Sequence, residues 1–197
     1  MKSTELIEMA LKKNLTQERV VGNIYLVGMM GAGKTTIGKL LAECLDKKFI
    51  DSDREIQKST GVTIPVIFEI EGEAGFRKRE TEILRELVKI KKIVLATGGG
   101  VVLNPENCEL LRHSGTVIYL KTSVHDLWQR TRYDKNRPLL QTEDPKEQLE
   151  KLYAQRDSLY SNIAHIIVAS GNHSASQCTQ LLIQKLTEFT CGTDYES

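Results

Sequence analysis

Cysteine is scarce in this chain of 197 residues, which has four, Cys44, Cys108, Cys178 and Cys191. No pair has C-x-x-C spacing and no histidine stands at a metal-ligand interval, which argues against both a zinc site and a disulfide framework. The first three fall in stretches of helical pattern, where a buried thiol acts as a small hydrophobe. Long apolar runs are also missing, and none approaches the ~18 residues that cross a bilayer. The start, Met1-Lys2-Ser3-Thr4-Glu5, has an early acid and no long apolar run behind it, unlike a secretory signal. No membrane partner and a cytoplasmic location are therefore expected. Charge of one sign is absent too: 27 Lys and Arg face 26 Asp and Glu, a net charge of +1. General polyanion binding, and with it a nucleic-acid partner, is excluded, while a local basic pocket stays open.

What is present is ordinary globular composition, 40% apolar and 27% charged, enough for one domain with some elaboration. No internal repeat or low-complexity tract interrupts it. Residues 1–19 read as an N-terminal extension with a weak helical stripe of Leu6, Ile7, Ala10, Leu11 and Leu15. Domain-like order starts at Val20 and lasts to about residue 190, leaving 191–197 as a tail. Within it, short apolar runs alternate with helical periods. Strands are predicted at Ile24–Val27, Phe49–Ile50, Ile93–Ala96, Thr116–Leu120 and Ile166–Val168. Helices are predicted at Lys34–Leu45, in segments to about Lys89, from Asn104-Pro105-Glu106 as cap and first turn, from Ser123, before Tyr160 and from Ser174. Tyr133–Pro145 is polar and without period. Five strand-then-helix units predict an α/β fold, a five-stranded parallel sheet with helices on both faces.

Gly28-Met29-Met30-Gly31-Ala32-Gly33-Lys34-Thr35 matches G-x-x-x-x-G-K-[ST]. Glycines let such a loop curl until successive N–H groups face phosphate oxygens, and the following helix aims its positive end at the same charge. Gly31, Ala32, Gly33, Lys34, Thr35 and Thr36 are thus candidate nucleotide contacts, with Lys34 reaching the outer phosphates and the Thr35 hydroxyl a ligand for Mg²⁺. The motif follows a strand and opens a helix, as the mechanism requires.

A phosphate loop alone does not separate kinase from switch. The third strand ends in Ala96-Thr97-Gly98-Gly99-Gly100, with no Walker-B acid, and no N-K-x-D run for guanine occurs. The nearest acids after a strand are Asp51 and Asp53. In a parallel sheet ligands gather beyond the carboxyl ends of the strands, so these acids, the phosphate loop and the three glycines share one rim. One carboxylate there can position Mg²⁺ through water, and the other can take a proton from an acceptor hydroxyl. Asp53 could instead merely cap the next helix, and the glycines could be a plain turn. A small-molecule kinase leads on balance.

Six ordered motifs resemble the shikimate kinase family. They are the phosphate loop, Phe49-Ile50-Asp51-Ser52-Asp53, Gly75-Phe76-Arg77-x-x-Glu80, Thr97-Gly98-Gly99-Gly100, Arg137-Pro138-Leu139-Leu140 and Arg156-Asp157-Ser158-Leu159-Tyr160. The resemblance implies a three-layer P-loop kinase fold with a mobile lid over about 133–145, and transfer of the γ-phosphoryl of ATP to the 3-hydroxyl of shikimate. It implies that Arg77 and Arg156 bind the substrate carboxylate, Asp53 contacts ring hydroxyls and takes the proton, and Gly99 meets substrate through its backbone. Gly98 and Gly100 would shape that loop, Asp51 would stand on the Mg²⁺ side through water, and Glu80 would orient Arg77. Arg137 in the lid would neutralise charge during transfer, and Arg130 would lie near adenine. Taken alone, Arg77 and Glu80 could be a surface ion pair and Arg156 one more solvated charge. Ala169-Ser170-Gly171-Asn172-His173 departs from the Arg-Pro sequence of some members, leaving adenine contacts there open. A monomer acting on ATP and shikimate is expected; a gluconate or nucleoside-monophosphate kinase, or a silent nucleotide binder, is the alternative.

Overall fold

The computed structural model describes residues 20–134, 137–171 and 173–193, with backbone only for 191–193. The expected extension 1–19, lid positions 135 and 136, Asn172 and the end of the tail at 194–197 lie outside the described residues, as does the Cys191 side chain.

Five strands form one parallel sheet: β1 (Asn23–Val27), β2 (Lys48–Asp51), β3 (Ile93–Ala96), β4 (Gly115–Lys121) and β5 (Ile166–Ala169), in the order β2-β3-β1-β4-β5. Every residue of β1 and β3 is buried, as near-continuous apolar runs require when both faces are covered. Eight residues of helical pattern or more separate most strands, long enough for parallel crossovers. The helices are α1 (Lys34–Cys44), α2 (Ser52–Thr60), α3 (Ile64–Leu87), α4 (Pro105–Ser114), α5 (Val124–Thr131), α6 (Pro145–Ile163) and α7 (Ala175–Thr193). Among the described residues no helix is long and apolar enough to cross a membrane. Because β1 is central, the loop leaving it stands mid-rim, flanked by the loops after β3 and β4.

The caps explain several boundaries. The Asn104 side chain accepts from Glu106 N at 3.0 Å with Pro105 behind it, and Ser123 and Asp144 cap α5 and α6. The helical segments expected up to Lys89 resolve into α2 and a kinked α3. The kink is at Gly72, whose φ of 69° and ψ of −178° belong to a region that side chains exclude. Around it α2 and α3 have a small apolar cluster of their own, Ile56, Ile67 and Phe76, apart from the main core. The Phe68 and Phe76 rings meet there at 4.9 Å.

One cysteine departs from expectation. Cys178 is fully buried and Cys108 partly so, but Cys44 is exposed. The buried side of α1 consists of Lys34, Ile37, Gly38, Leu41 and Ala42, and Cys44 falls off that stripe. β5 is an edge strand with alternating burial, so Ile167 is left half exposed.

Candidate active site

The loop between β1 and α1 holds its curl through left-handed backbone at Gly31 and Gly33, with φ of 80° and 96°. A Cβ at Gly31 would also press on Thr131 Cγ2 at 2.7 Å, so glycine there answers both a backbone and a packing demand. Lys34 is buried under the loop, donating from Nζ to the Gly28 carbonyl at 2.7 Å and the Met29 carbonyl at 2.9 Å. Burial pushes its ammonium down to about 8, against the pull of Asp53. Thr35 donates its hydroxyl to Asp51 Oδ2 at 2.8 Å.

Asp51 and Asp53 take different positions although one residue separates them. Asp51 ends β2 and is the N-cap of α2, its Oδ1 accepting from Arg54 N at 3.4 Å. The cap considered for Asp53 is therefore supplied by Asp51. Asp53 lies in the first turn of α2, and its buried Oδ1 has no hydrogen-bond partner. Burial first, and then the nearby Asp51 charge, push its carboxyl above the ordinary range. A cavity of about 450 Å³ extends from Asp51 and Asp53 along the phosphate loop to Arg130, Ser170 and His173. Arg130 donates to the Gly31 carbonyl at 3.2 Å and to the Ser170 and Gly171 carbonyls at 3.3 and 3.2 Å, clasping the far end of that cavity.

A second, narrower cleft of about 90 Å³ adjoins it, lined by the apolar Phe68, Phe76 and Leu139 and by the charged Arg77, Glu80 and Arg156, with the Arg77 guanidinium 5.2 Å over the Phe76 ring. Arg77 donates to Glu80 Oε2 at 2.8 Å and to Glu73 Oε1 at 2.9 Å. This is not the solvated surface pair that spacing alone allows, since the Glu80 side chain is 1% exposed. Burial pushes the Glu80 carboxyl upward against the pull of Arg77, and its second oxygen has no partner. For Arg77, burial works against the charge, but Glu80 and Glu73 outweigh it and hold the guanidinium above its usual range.

Arg156 is buried as well, at 2% exposure, and is no solvated charge on α6. It donates from Nη1 to the Gly99 carbonyl at 3.2 Å, while its Nε has no partner. Burial lowers its pKa, though a guanidinium stays protonated. Unbalanced buried cations of this kind are costly unless an anion joins them. Two of the three glycines are explained by these neighbours. A Cβ on Gly98 would collide with Glu80 Oε1 and lie 2.9 Å from Asp53 Oδ1, and one on Gly100 would collide with the Arg77 guanidinium. They make room for the charged side chains as well as baring backbone.

The two cavities share four residues: Met30, Asp53, Gly99 and Arg137. Arg137 reaches this junction from the segment after α5, with its Nε donating to Asp134 Oδ2 at 2.9 Å. Every expected site residue thus lies on the walls of one or both cavities. The segment 169–173, whose contacts the sequence leaves open, supplies Ser170 and His173 to the first cavity; Ile64 and Phe68, which no motif includes, join Leu139 in the apolar lining of the second. Ile64 and Phe68 have no signal beyond a place in a helix, which many residues share.

A phosphate loop at mid-rim of a parallel sheet, opening into a second pocket with a buried arginine, Arg156, and a half-buried one, Arg77, defines a P-loop phosphotransferase for a small anionic acceptor. The family model described as shikimate kinase matches residues 30–187, and the chain belongs to that family. A shikimate kinase of Nitrosospira multiformis is 64% identical over 166 residues, covering 84% of this chain and 85% of the relative. One of Nitrosomonas europaea is 59% identical, covering 89% and 83%. Among solved structures, the shikimate kinase of Acinetobacter baumannii in complex with shikimate has a TM-score of 0.84 at 50% identity, covering 85% of this chain and 94% of that one.

Proposed function

We propose that this chain is a shikimate kinase: it moves the γ-phosphoryl of ATP to the 3-hydroxyl of shikimate, giving shikimate 3-phosphate and ADP, a step toward chorismate and the aromatic amino acids. The observation that supports this most is the junction, where Asp53 and Arg137 line both the nucleotide cavity and the acceptor cleft. A group bound in one cavity is thereby next to a group bound in the other.

ATP lies along Gly31–Thr36 with its phosphates toward Asp53, and Lys34 exchanges the loop carbonyls for phosphate oxygens. Arg130 and the turn at Ser170 mark the adenine end. The ring carboxylate is held by Arg77 and Arg156, whose planar forks match its two oxygens. Glu80 keeps Arg77 in place, and the ring stacks over the Phe68 and Phe76 side. Asp53 accepts the proton of the 3-hydroxyl as its oxygen forms a bond to the γ-phosphorus. The bond from that phosphorus to the bridging oxygen breaks, and ADP leaves with the electron pair. A carboxyl whose basicity burial has raised is suited to take that proton. Arg137 stabilises charge on the transferring group, and closure of the 133–145 segment excludes competing water.

Mg²⁺ fits the donor set, because a hydroxyl and a carboxylate oxygen stand 2.8 Å apart at Thr35 and Asp51 beside the phosphate loop. When bound it would neutralise charge between the β- and γ-phosphates. Thr35 would hold it directly and Asp51 through water. The domain is taken as 20–190, acting as a cytoplasmic monomer.

The test is release of ADP from ATP and Mg²⁺ with shikimate, gluconate and AMP supplied separately, against a blank without acceptor. Stimulation by shikimate alone is expected. No stimulation, with ATP still bound, would mean that the acceptor cleft serves another substrate.

A further inference from the structure

Tyr160 is fully buried on α6, one helical turn beyond Arg156. Its hydroxyl donates to the Gly99 carbonyl, the same oxygen that Arg156 Nη1 reaches at 3.2 Å. The hydroxyl also lies 3.8 Å from Met29 Sδ in the phosphate loop. The backbone of Gly99 in turn sits against that loop, so that a Cβ on it would be 3.4 Å from Met30 N. One phenolic oxygen therefore stands where the phosphate loop, the glycine turn and an acceptor-side arginine meet.

The ring is fixed from behind. It stacks on Tyr119 with centroids 5.0 Å apart, and Tyr119 is held by its own hydroxyl bond to Asp157 Oδ1 at 2.7 Å. Asp157 also takes Lys121 Nζ at 3.0 Å. The Tyr160 hydroxyl has little freedom to leave Gly99.

We infer that Tyr160 is a positioning residue for phosphoryl transfer, which by satisfying the Gly99 carbonyl fixes the glycine turn against the phosphate loop and leaves Arg156 available to the acceptor carboxylate. The reasoning rests on the acceptor assignment above. A carbonyl has two acceptor sites, and here a neutral hydroxyl and a guanidinium fill them. Without the hydroxyl, the oxygen is left to Arg156 alone, which is drawn toward the turn and away from the carboxylate. The turn at the same time loses its tie to Met29. Both changes act first on acceptor binding, and the nucleotide side is affected less, because the phosphate loop keeps its curl at Gly31 and Gly33 and the Lys34 bonds to the Gly28 and Met29 carbonyls without the hydroxyl.

The test compares Tyr160→Phe with Tyr119→Phe, using steady-state ADP release with shikimate and ATP varied in turn and thermal unfolding of each variant. Phenylalanine keeps the ring and the stack, so both variants are expected to fold. Tyr160→Phe should raise the KM for shikimate about tenfold, the worth of one hydrogen bond, with the KM for ATP changed less than about twofold. Tyr119→Phe, which loses a comparable buried hydroxyl bond, should leave both constants near the parent values. A shikimate KM within about twofold of the parent in Tyr160→Phe, a parallel rise in both KM values, or the same rise in Tyr119→Phe would overturn the inference. If the parent itself does not respond to shikimate, the acceptor assignment fails and this inference with it.

Discussion

The nucleotide cavity and the acceptor cleft solve the same problem, holding an anion, by opposite means. The nucleotide side is built mainly on one contiguous loop, whose curled backbone and helix start suit phosphate, with a single buried cation, Lys34, beneath it and Arg130 at its far end. The acceptor side gathers side chains from α2, α3, the turn after β3 and α6, and it keeps charge buried in advance of substrate. Glu80 and Arg156 are almost wholly buried, and Asp53, Glu80 and Arg156 each have a polar atom without a partner. Backbone can present N–H groups with little desolvation cost, whereas buried charges are destabilising until a ligand completes them. The acceptor half even has its own small apolar cluster and a kink at Gly72, set apart from the core that supports the phosphate loop. The difference teaches that the phosphate end of a nucleotide site can be carried largely by one turn, while an acceptor cleft takes long-range assembly.

Asp53 and Arg137 belong to both sides, and breaking them should have the largest effect. Asp53→Asn keeps the shape and removes the carboxylate proposed as the base, and turnover should fall about 10³-fold with ATP affinity nearly unchanged, read by ADP release and nucleotide titration. Arg137→Ala should cost roughly 10²-fold or more in kcat, because it removes charge stabilisation where both cavities meet. Retained turnover in either variant would separate the junction from the chemistry.

Next in size is a proton. Burial holds Lys34 at about 8 in the free protein, and nucleotide phosphates would raise it. At a pH of about 8 the free ammonium is half deprotonated, so binding ADP should take up close to half a proton, and near pH 6 almost none. Calorimetry in two buffers of different ionisation enthalpy reads this directly, and identical heats at the higher pH would contradict it.

The smallest effect is on stability. The Asp53 carboxyl is raised in the folded state by burial and by Asp51, so its contribution is fully favourable only below the unfolded value and is lost as pH rises through the folded one. Asp53→Asn should therefore be the more stable protein near neutral pH, by about 1 kcal/mol or ~3 °C in Tm. The gain should shrink as the pH falls through the folded value and close only below about 3.9, where the parent carboxyl becomes neutral in the unfolded state as well. A variant that melts lower than the parent at neutral pH would mean that the charge is compensated.

The same contrast decides what could be read before the structure. The phosphate loop was legible residue by residue, because its physics lies in eight consecutive positions. So was the sheet, because its strands are continuous apolar runs, and so was the α4 boundary at Asn104-Pro105. The acceptor side was legible only through resemblance, since spacing leaves Arg77 with Glu80 indistinguishable from a surface pair and Arg156 from any helix charge. The reason for Gly98 and Gly100 was only half visible, because the side chains that need their space come from α2 and α3, far off in sequence. The Gly72 kink, the exposure of Cys44 and the bond from Tyr160 to Gly99 had no local signal, since each depends on which neighbour the fold supplies.

The independence of the two half-sites is tested most directly by one crossed measurement, both KM values for Thr35→Ala and for Arg77→Lys in the same ADP-release assay. Thr35→Ala should raise the KM for ATP and leave that for shikimate within about twofold. Arg77→Lys, which loses the planar fork, should raise the shikimate KM roughly tenfold or more and leave ATP alone. If each variant raised both constants together, the two sides would be one coupled site, and the division drawn here would be wrong.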